Sequence, residues 1–226
     1  MLYSIDKDIW HAQHNFLANG LPVSSRMSII RLESGGLWLH SPIPISDQMR
    51  EQLAALGEVK FIVAPSKTHH LFVSDCVSAY PQARLFGARG LPAKRPDLKS
   101  MTALGSAVEP EWEDNFVQIF FDGIPFGNET VWFHKPSQTL ILTDLCQWWQ
   151  GELPFTAKIY AYLTGVRKEL AVPRTVRWLV KDRQAARTSA QRILELPVKR
   201  VIMAHNAIIE KDAHSTLAKA LAYFLK

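Results

Sequence analysis

"FIVAPSKTHHLF" (Phe61–Phe72) joins an apolar run, Phe61-Ile62-Val63-Ala64, to a proline, a short polar segment and two adjacent histidines. An apolar run stopped by Pro65 predicts a short buried strand. Histidines just past a strand end sit where loops hold side chains over a site. Adjacent histidines point in different directions on regular structure, and His69 and His70 lack the spacing of a familiar zinc motif. Three readings are open: a metal site, an altered one, or two polar residues at a turn.

Working outward, the neighbours of this stretch decide the fold class. Upstream, "SDQMREQLAALG" predicts a helix, with Ser46 as N-cap, Met49, Leu53 and Leu56 at helical spacing, and Gly57 just past the end. Downstream, "HHLFVSDCVSAYP" predicts a helix stopped by Pro81, and "ARLFGA" a further strand. The alternation of helix and strand with short connections predicts an α/β layer. Before it, "MSIIRLESGGLWLHSP" predicts two strands turning at Gly35-Gly36. After the loop "GLPAKRPDLKSM", three strands are expected in "VQIFFDGIPF", "ETVWFHK" and "TLILTDL". A helix from Phe155 to Leu170, an amphipathic helix in "DRQAARTSAQRILEL", a strand in "VKRVIMAHN" and a closing helix in "DAHSTLAKALAYFL" complete the chain.

The 226 residues are 47% hydrophobic, enough for one sizeable core, so a single domain spanning 1–226 is expected. No apolar run reaches the roughly 18 residues that would cross a bilayer. Asp6, Lys7 and Asp8 stand where a signal peptide would need an apolar stretch, and the two cysteines, Cys76 and Cys146, are far apart. A cytoplasmic protein without a disulfide framework or a Cys-rich zinc site is therefore expected. The net charge of +5 is uneven: residues 165–200 hold ten Lys or Arg and three acids, a local +7. That segment reads as a solvated helical face, or alternatively as a field for an anionic partner, nucleic acid included.

Three polar positions share one context. His69 and His70 follow the strand at Phe61–Ala64, Asp144 follows "TLILT", and His205 follows "RVIMA". Histidines with a carboxylate suit zinc, iron or manganese.

With these residues in order, the chain resembles the metallo-β-lactamase-like superfamily and, within it, the DUF4336 family. "GGLWLHSPIPIS" stands where the superfamily has a strand and a turn. "FIVAPSKTHHLFVSDCVSAYPQARLFGA" stands where it has the His-x-His-x-Asp-His loop. "VWFHKPSQTLILTDL" resembles its later hairpin, and "RVIMAHN" its last strand with a terminal metal-binding histidine. The resemblance implies a four-layer αββα sandwich. It also implies a departure. With His70 in the place of the loop's last histidine, Pro65 and Lys67 fall on the first two ligand positions and His69 on that of the aspartate. One half of the usual two-metal site is then lost, and the other survives as His69, His70, Asp144 and His205.

The function expected from this is a single-metal, hydrolase-like protein acting on an unknown small-molecule or anionic substrate. One divalent ion would polarise a carbonyl or phosphoryl group and activate water. Asp144 would be ligand or base, and Lys67 would stabilise developing negative charge. The alternative is a non-catalytic binding or structural protein without metal, for which Pro65 and Lys67 speak. Glu129, as an oxygen ligand or partner of Lys67, and His40, beside the superfamily's turn, are further candidates. His134 reads more simply as a structural histidine.

Overall fold

The computed structural model covers residues 1–226 and contains two mixed sheets. The chain divides into two compact units. The first holds Met1–His14 and Arg26–Phe116, the second Asn15–Ser25 and Val117–Lys226.

The seven-stranded sheet runs in chain order: β1 (Tyr3–Asp6), β2 (Ile9–Ala18), β3 (Leu21–Arg31), β4 (Leu37–His40), β5 (Val59–Ala64), β6 (Arg84–Gly87) and β7 (Thr102–Ala103). β1 and β2 pair antiparallel, as do β3 and β4 around Gly35-Gly36. β4 through β7 are parallel, which requires crossovers. These are supplied by α1 (Asp47–Leu56), α2 (Val73–Ala79) and the single turn α3 (Leu91–Lys94). α1 begins and ends as expected: Ser46 Oγ accepts the N–H of Met49 at 3.2 Å, and the N–H of Gly57 bonds to the Leu53 carbonyl. α2 is shorter than its sequence suggests. Leu71, expected on it, stays exposed, and the histidines before it belong to the loop.

β4 and β5 are buried on both faces, so their sequences are apolar without alternation. Leu37, Leu39, Ile62 and Ala64 meet Met49 and Leu53 of α1 and Val73 and Cys76 of α2. The other face carries aromatics: Trp38 lies 4.6 Å from Phe116, and Trp112 packs edge-on to Phe61 and Phe86, ring centroid to ring centroid 4.7 and 4.9 Å.

In the second unit the strand order is β12-β11-β10-β9-β8. The strands are β8 (Phe116–Phe120), β9 (Thr130–His134), β10 (Thr139–Leu142), β11 (Arg200–Met203) and β12 (Ile208–Ile209). β9 and β10 form a hairpin, and β10 pairs parallel with β11 through a long crossover. The crossover holds α4 (Phe155–Thr164), α5 (Arg174–Trp178) and α6 (Arg183–Leu194). Ala186, Ala190 and Ile193 of α6 pack on Val131, Leu140 and Val201, together with Leu217, Leu221 and Phe224 of α7 (Ala213–Leu225). Gly123 approaches the start of α6 closely. Its carbonyl accepts the N–H of Lys181 at 2.8 Å, its φ is +88°, and a Cβ there would lie 2.9 Å from the Ala186 nitrogen.

Candidate functional site

The β10 and β11 strand ends bring two of the expected residues together in the second unit. His205 Nε2 lies 3.0 Å from Asp144 Oδ1. Both follow strands that pair in register, Leu142 opposite Met203, so their loops leave the sheet side by side. His205 is buried, and its Nδ1 lies 2.8 Å from the carbonyl oxygen of Ser24. A carbonyl only accepts, so Nδ1 carries the proton and Nε2 is left facing the carboxylate. Asp144 Oδ1 also accepts from Gln147 Nε2 at 3.0 Å, and Gln147 Oε1 accepts from Trp149 Nε1 at 2.9 Å. Gln147 is itself fixed, because its backbone pairs with Ala171 in both directions. A continuous chain thus runs Trp149, Gln147, Asp144, His205, Ser24.

This geometry tests the donor set. An imidazole protonated at Nδ1 presents a lone pair at Nε2, and a carboxylate presents another. At 3.0 Å these repel unless a positive charge lies with them: a second ring proton or a metal cation. Orientation of the distal ring nitrogen by a backbone carbonyl is the usual support of a metal-ligating histidine. The residues present therefore fit a divalent ion.

Glu129 occupies a position that sequence reasoning assigned otherwise. It is buried before β9, and its carboxylate accepts the N–H groups of Thr143 (2.5 Å), Asp144 (2.9 Å) and Leu145 (2.9 Å). Both its oxygens are spent on shaping the loop that carries Asp144. Burial, and then the charge of Asp144, push its pKa up to about 7, against the downward pull of the Thr143 and Asp144 donors.

In the first unit, the loop after β5 is wound around buried Ser66. Its Oγ accepts the N–H groups of His69 at 3.1 Å and Thr68 at 3.3 Å. His69 Nδ1 then lies 2.8 Å from Ser41 Oγ. His70 faces elsewhere. Arg95 Nη1 donates to His70 Nδ1 at 3.1 Å and to its carbonyl at 2.9 Å, while Arg95 Nη2 reaches Ser74 and Asp97. A guanidinium only donates, so the neutral His70 ring carries its proton on Nε2 and has no lone pair left for an ion. Burial first, then Lys94 and Arg95, hold His70 below the usual histidine pKa.

The remaining candidates have structural partners or a buried setting. Lys67 is half-buried, and its carbonyl accepts from Lys94 Nζ at 2.6 Å. His40 is enclosed and stacked on Trp38 at 5.4 Å; burial, then His69, lower its pKa to about 3. Its Nε2 has no hydrogen-bond partner. His134 lies at the opposite end of β9 from Glu129, with Nδ1 2.8 Å from Ser137 Oγ in the hairpin turn. Gln147, Trp149 and Ser24 are the members of this hydrogen-bonded chain that sequence reasoning missed. Only the polar Gln147 inside "CQWWQ" hinted at a buried role.

A cavity of about 310 Å³ in the second unit has His205 in its wall. Phe16, Val23, Trp149 and Leu153 make it largely apolar, and Asn15 and Glu152 add polar atoms. No Lys or Arg lines it.

Among solved structures, the chain is similar to a metallo-beta-lactamase from Pontibacter korlensis, with TM-score 0.64 and 14% identity over 99% of this chain and 98% of that one. It is similar to a metallo beta lactamase from Hirschia baltica, with TM-score 0.61 and 12% identity over 100% and 97%. It also resembles the metal-soaked Flv1 flavodiiron core from Synechocystis sp. PCC6803, with TM-score 0.66 and 10% identity over 100% of this chain and 60% of that one. At these identities the likeness shows the fold, which is that of the metallo-β-lactamases. No curated protein matches the sequence. The domain of unknown function DUF4336 matches residues 6–169, and the chain belongs to that family.

Proposed function

We propose that the protein is a metal-dependent hydrolase-like protein that holds one divalent ion, with Asp144 and His205 as ligands and His69 as the further ligand that the sequence resemblance implies. The observation that carries this is the His205–Asp144 pair: two acceptor atoms held 3.0 Å apart, with the far side of the ring fixed by the Ser24 carbonyl. His69 is preferred to His70 as the third ligand because Ser41, a hydroxyl able to accept as well as donate, can leave the outer nitrogen of His69 unprotonated. Arg95 forces the opposite tautomer on His70.

A bound ion would supply Lewis-acid polarisation of a carbonyl or phosphoryl group. The chain's own residues supply the rest. Gln147 and Trp149 hold Asp144 in place, Glu129 shapes its loop, and the cavity beside His205 receives the apolar part of a substrate. Its lining without Lys or Arg favours a carboxylic ester, thioester or amide over a phosphoester. Lys67 is the residue that the sequence resemblance offers for stabilising developing negative charge.

Elemental analysis of the purified and reconstituted protein tests the reading. About one equivalent of metal is expected, lost in His205→Ala. Metal below about a tenth of an equivalent after reconstitution would remove the proposal. A second reading, a non-catalytic scaffold, is favoured by Pro65 and Lys67 at superfamily ligand positions. It predicts that the parent and a His69/His205 double variant alike hold no metal after reconstitution.

A further inference from the structure

α4 is apolar on two opposite faces. Ala157, Ala161 and Thr164 are buried, whereas Phe155, Ile159, Tyr162 and Leu163 are 77%, 42%, 53% and 67% exposed. These four recur at spacings of four, three and one, so they form one stripe along the helix. Trp178, at the end of α5, is 78% exposed. α5 is tied to α4, since Arg174 Nη1 donates to the Leu163 carbonyl at 3.1 Å. Of the ten large hydrophobic residues exposed in the whole chain, five thus lie on these two helices, which makes a patch rather than scatter.

The charge around the patch points to its partner. Residues 154–183 hold seven Lys or Arg and two acids. Lys158, Lys168, Arg174 and Lys181 are exposed. An aliphatic and aromatic stripe in a net basic segment is the composition of helices that lie in the interface of an anionic bilayer. Trp and Tyr favour the headgroup level, while Phe, Ile and Leu reach the acyl boundary. A second copy of the chain would bring a like charge to the same face. Nucleic acid would use the cations and stacking rings but leave Ile159 and Leu163 without a role.

We infer that the exposed stripe of α4, with Trp178 and its basic surroundings, docks this protein on an anionic lipid surface. The inference is independent of any metal. No helix is long and apolar enough to cross a membrane, so the contact is peripheral.

Co-sedimentation of the full chain with vesicles of phosphatidylcholine, alone or mixed with phosphatidylglycerol, tests it. Pelleting with the mixed vesicles is expected to be at least about tenfold stronger than with the neutral ones and to weaken with salt. Phe155→Ser/Leu163→Ser and Lys158→Glu/Lys168→Glu should each reduce it about tenfold or more. Their urea midpoints should match the parent, because the altered side chains are exposed. Failure to pellet with phosphatidylglycerol vesicles overturns the inference, as does pelleting that the Phe155→Ser/Leu163→Ser variant leaves intact. So does a concentration-dependent dimer, seen by ultracentrifugation, that the same variant abolishes while the vesicles leave the protein in solution.

Discussion

His205 donates its Nδ1 proton to the carbonyl of Ser24, 181 residues earlier in the chain, across 2.8 Å. The bond makes the histidine after β11 a fixed tautomer rather than a free ring, and it aims Nε2 at Asp144. Most of what can be tested at the site follows from that constraint.

The two loop histidines should behave differently. His69→Ala is expected to lower zinc affinity at least about tenfold in a competition titration with a chromogenic chelator, as for loss of an inner ligand. His70→Ala should leave affinity within about threefold and instead loosen the Arg95 contact, a surface-side change costing about 1 kcal/mol or less. Equal effects of the two variants would sink the assignment.

Gln147→Ala should act through Asp144. Loss of an orienting hydrogen bond beside a ligand typically weakens metal affinity by about 10–100-fold. The same change leaves Trp149 Nε1 without its buried acceptor and should lower stability by about 1–3 kcal/mol. Metal affinity from chelator competition reports the first loss and the urea midpoint the second; Gln147→Glu would confound both, because it sets a second buried carboxylate against Asp144.

His40 gives a signed pH dependence. Its folded pKa of about 3 lies below the ordinary 6.5, so the unfolded chain binds the extra proton first. Its contribution is complete above about pH 6.5 and is lost as pH falls toward 3, at up to about 1.4 kcal/mol per pH unit. Glu129, raised to about 7, has the opposite slope between the ordinary carboxylate range and neutrality. Comparison of His40→Gln with the parent isolates the first. The stability gap between them should hold level from pH 7.5 to about 6.5 and narrow from there to pH 5; a gap that stays constant down to pH 5 would contradict the depressed pKa.

Gly123→Ala should destabilise by about 2–4 kcal/mol, from the left-handed backbone and from overpacking against α6. Denaturant midpoints measure it, and a loss under about 0.5 kcal/mol would show that the α6 start gives way easily.

The elements that local rules govern were legible. The caps of α1 at Ser46 and Gly57, the turn at Gly35-Gly36, the β8–β10 strands and α6 all announce themselves within a few residues. Asp144 and His205 were legible as strand-end residues because β10 and β11 are short apolar runs. Less legible was what acts over distance. Glu129 looks like a free carboxylate in sequence, yet its partners are three backbone N–H groups more than a dozen residues later. The tautomers of His70 and His205 depend on Arg95 and Ser24, and no spacing rule links those pairs. α5, five residues long after Pro173, is too brief for a periodic signal.

The β2–β3 hairpin closes on Asn19 and Gly20, both with positive φ, +51° and +81°. Such a two-residue turn fixes which residue of one strand faces which of the other, and Ser24 lies only a few residues past it. Moving that turn by one position would rotate the Ser24 carbonyl away from the imidazole. The proton position on a histidine near the end of the chain is thus chosen by a dipeptide near its beginning. A change at Asn19-Gly20 would be detected first in the ring resonances of His205.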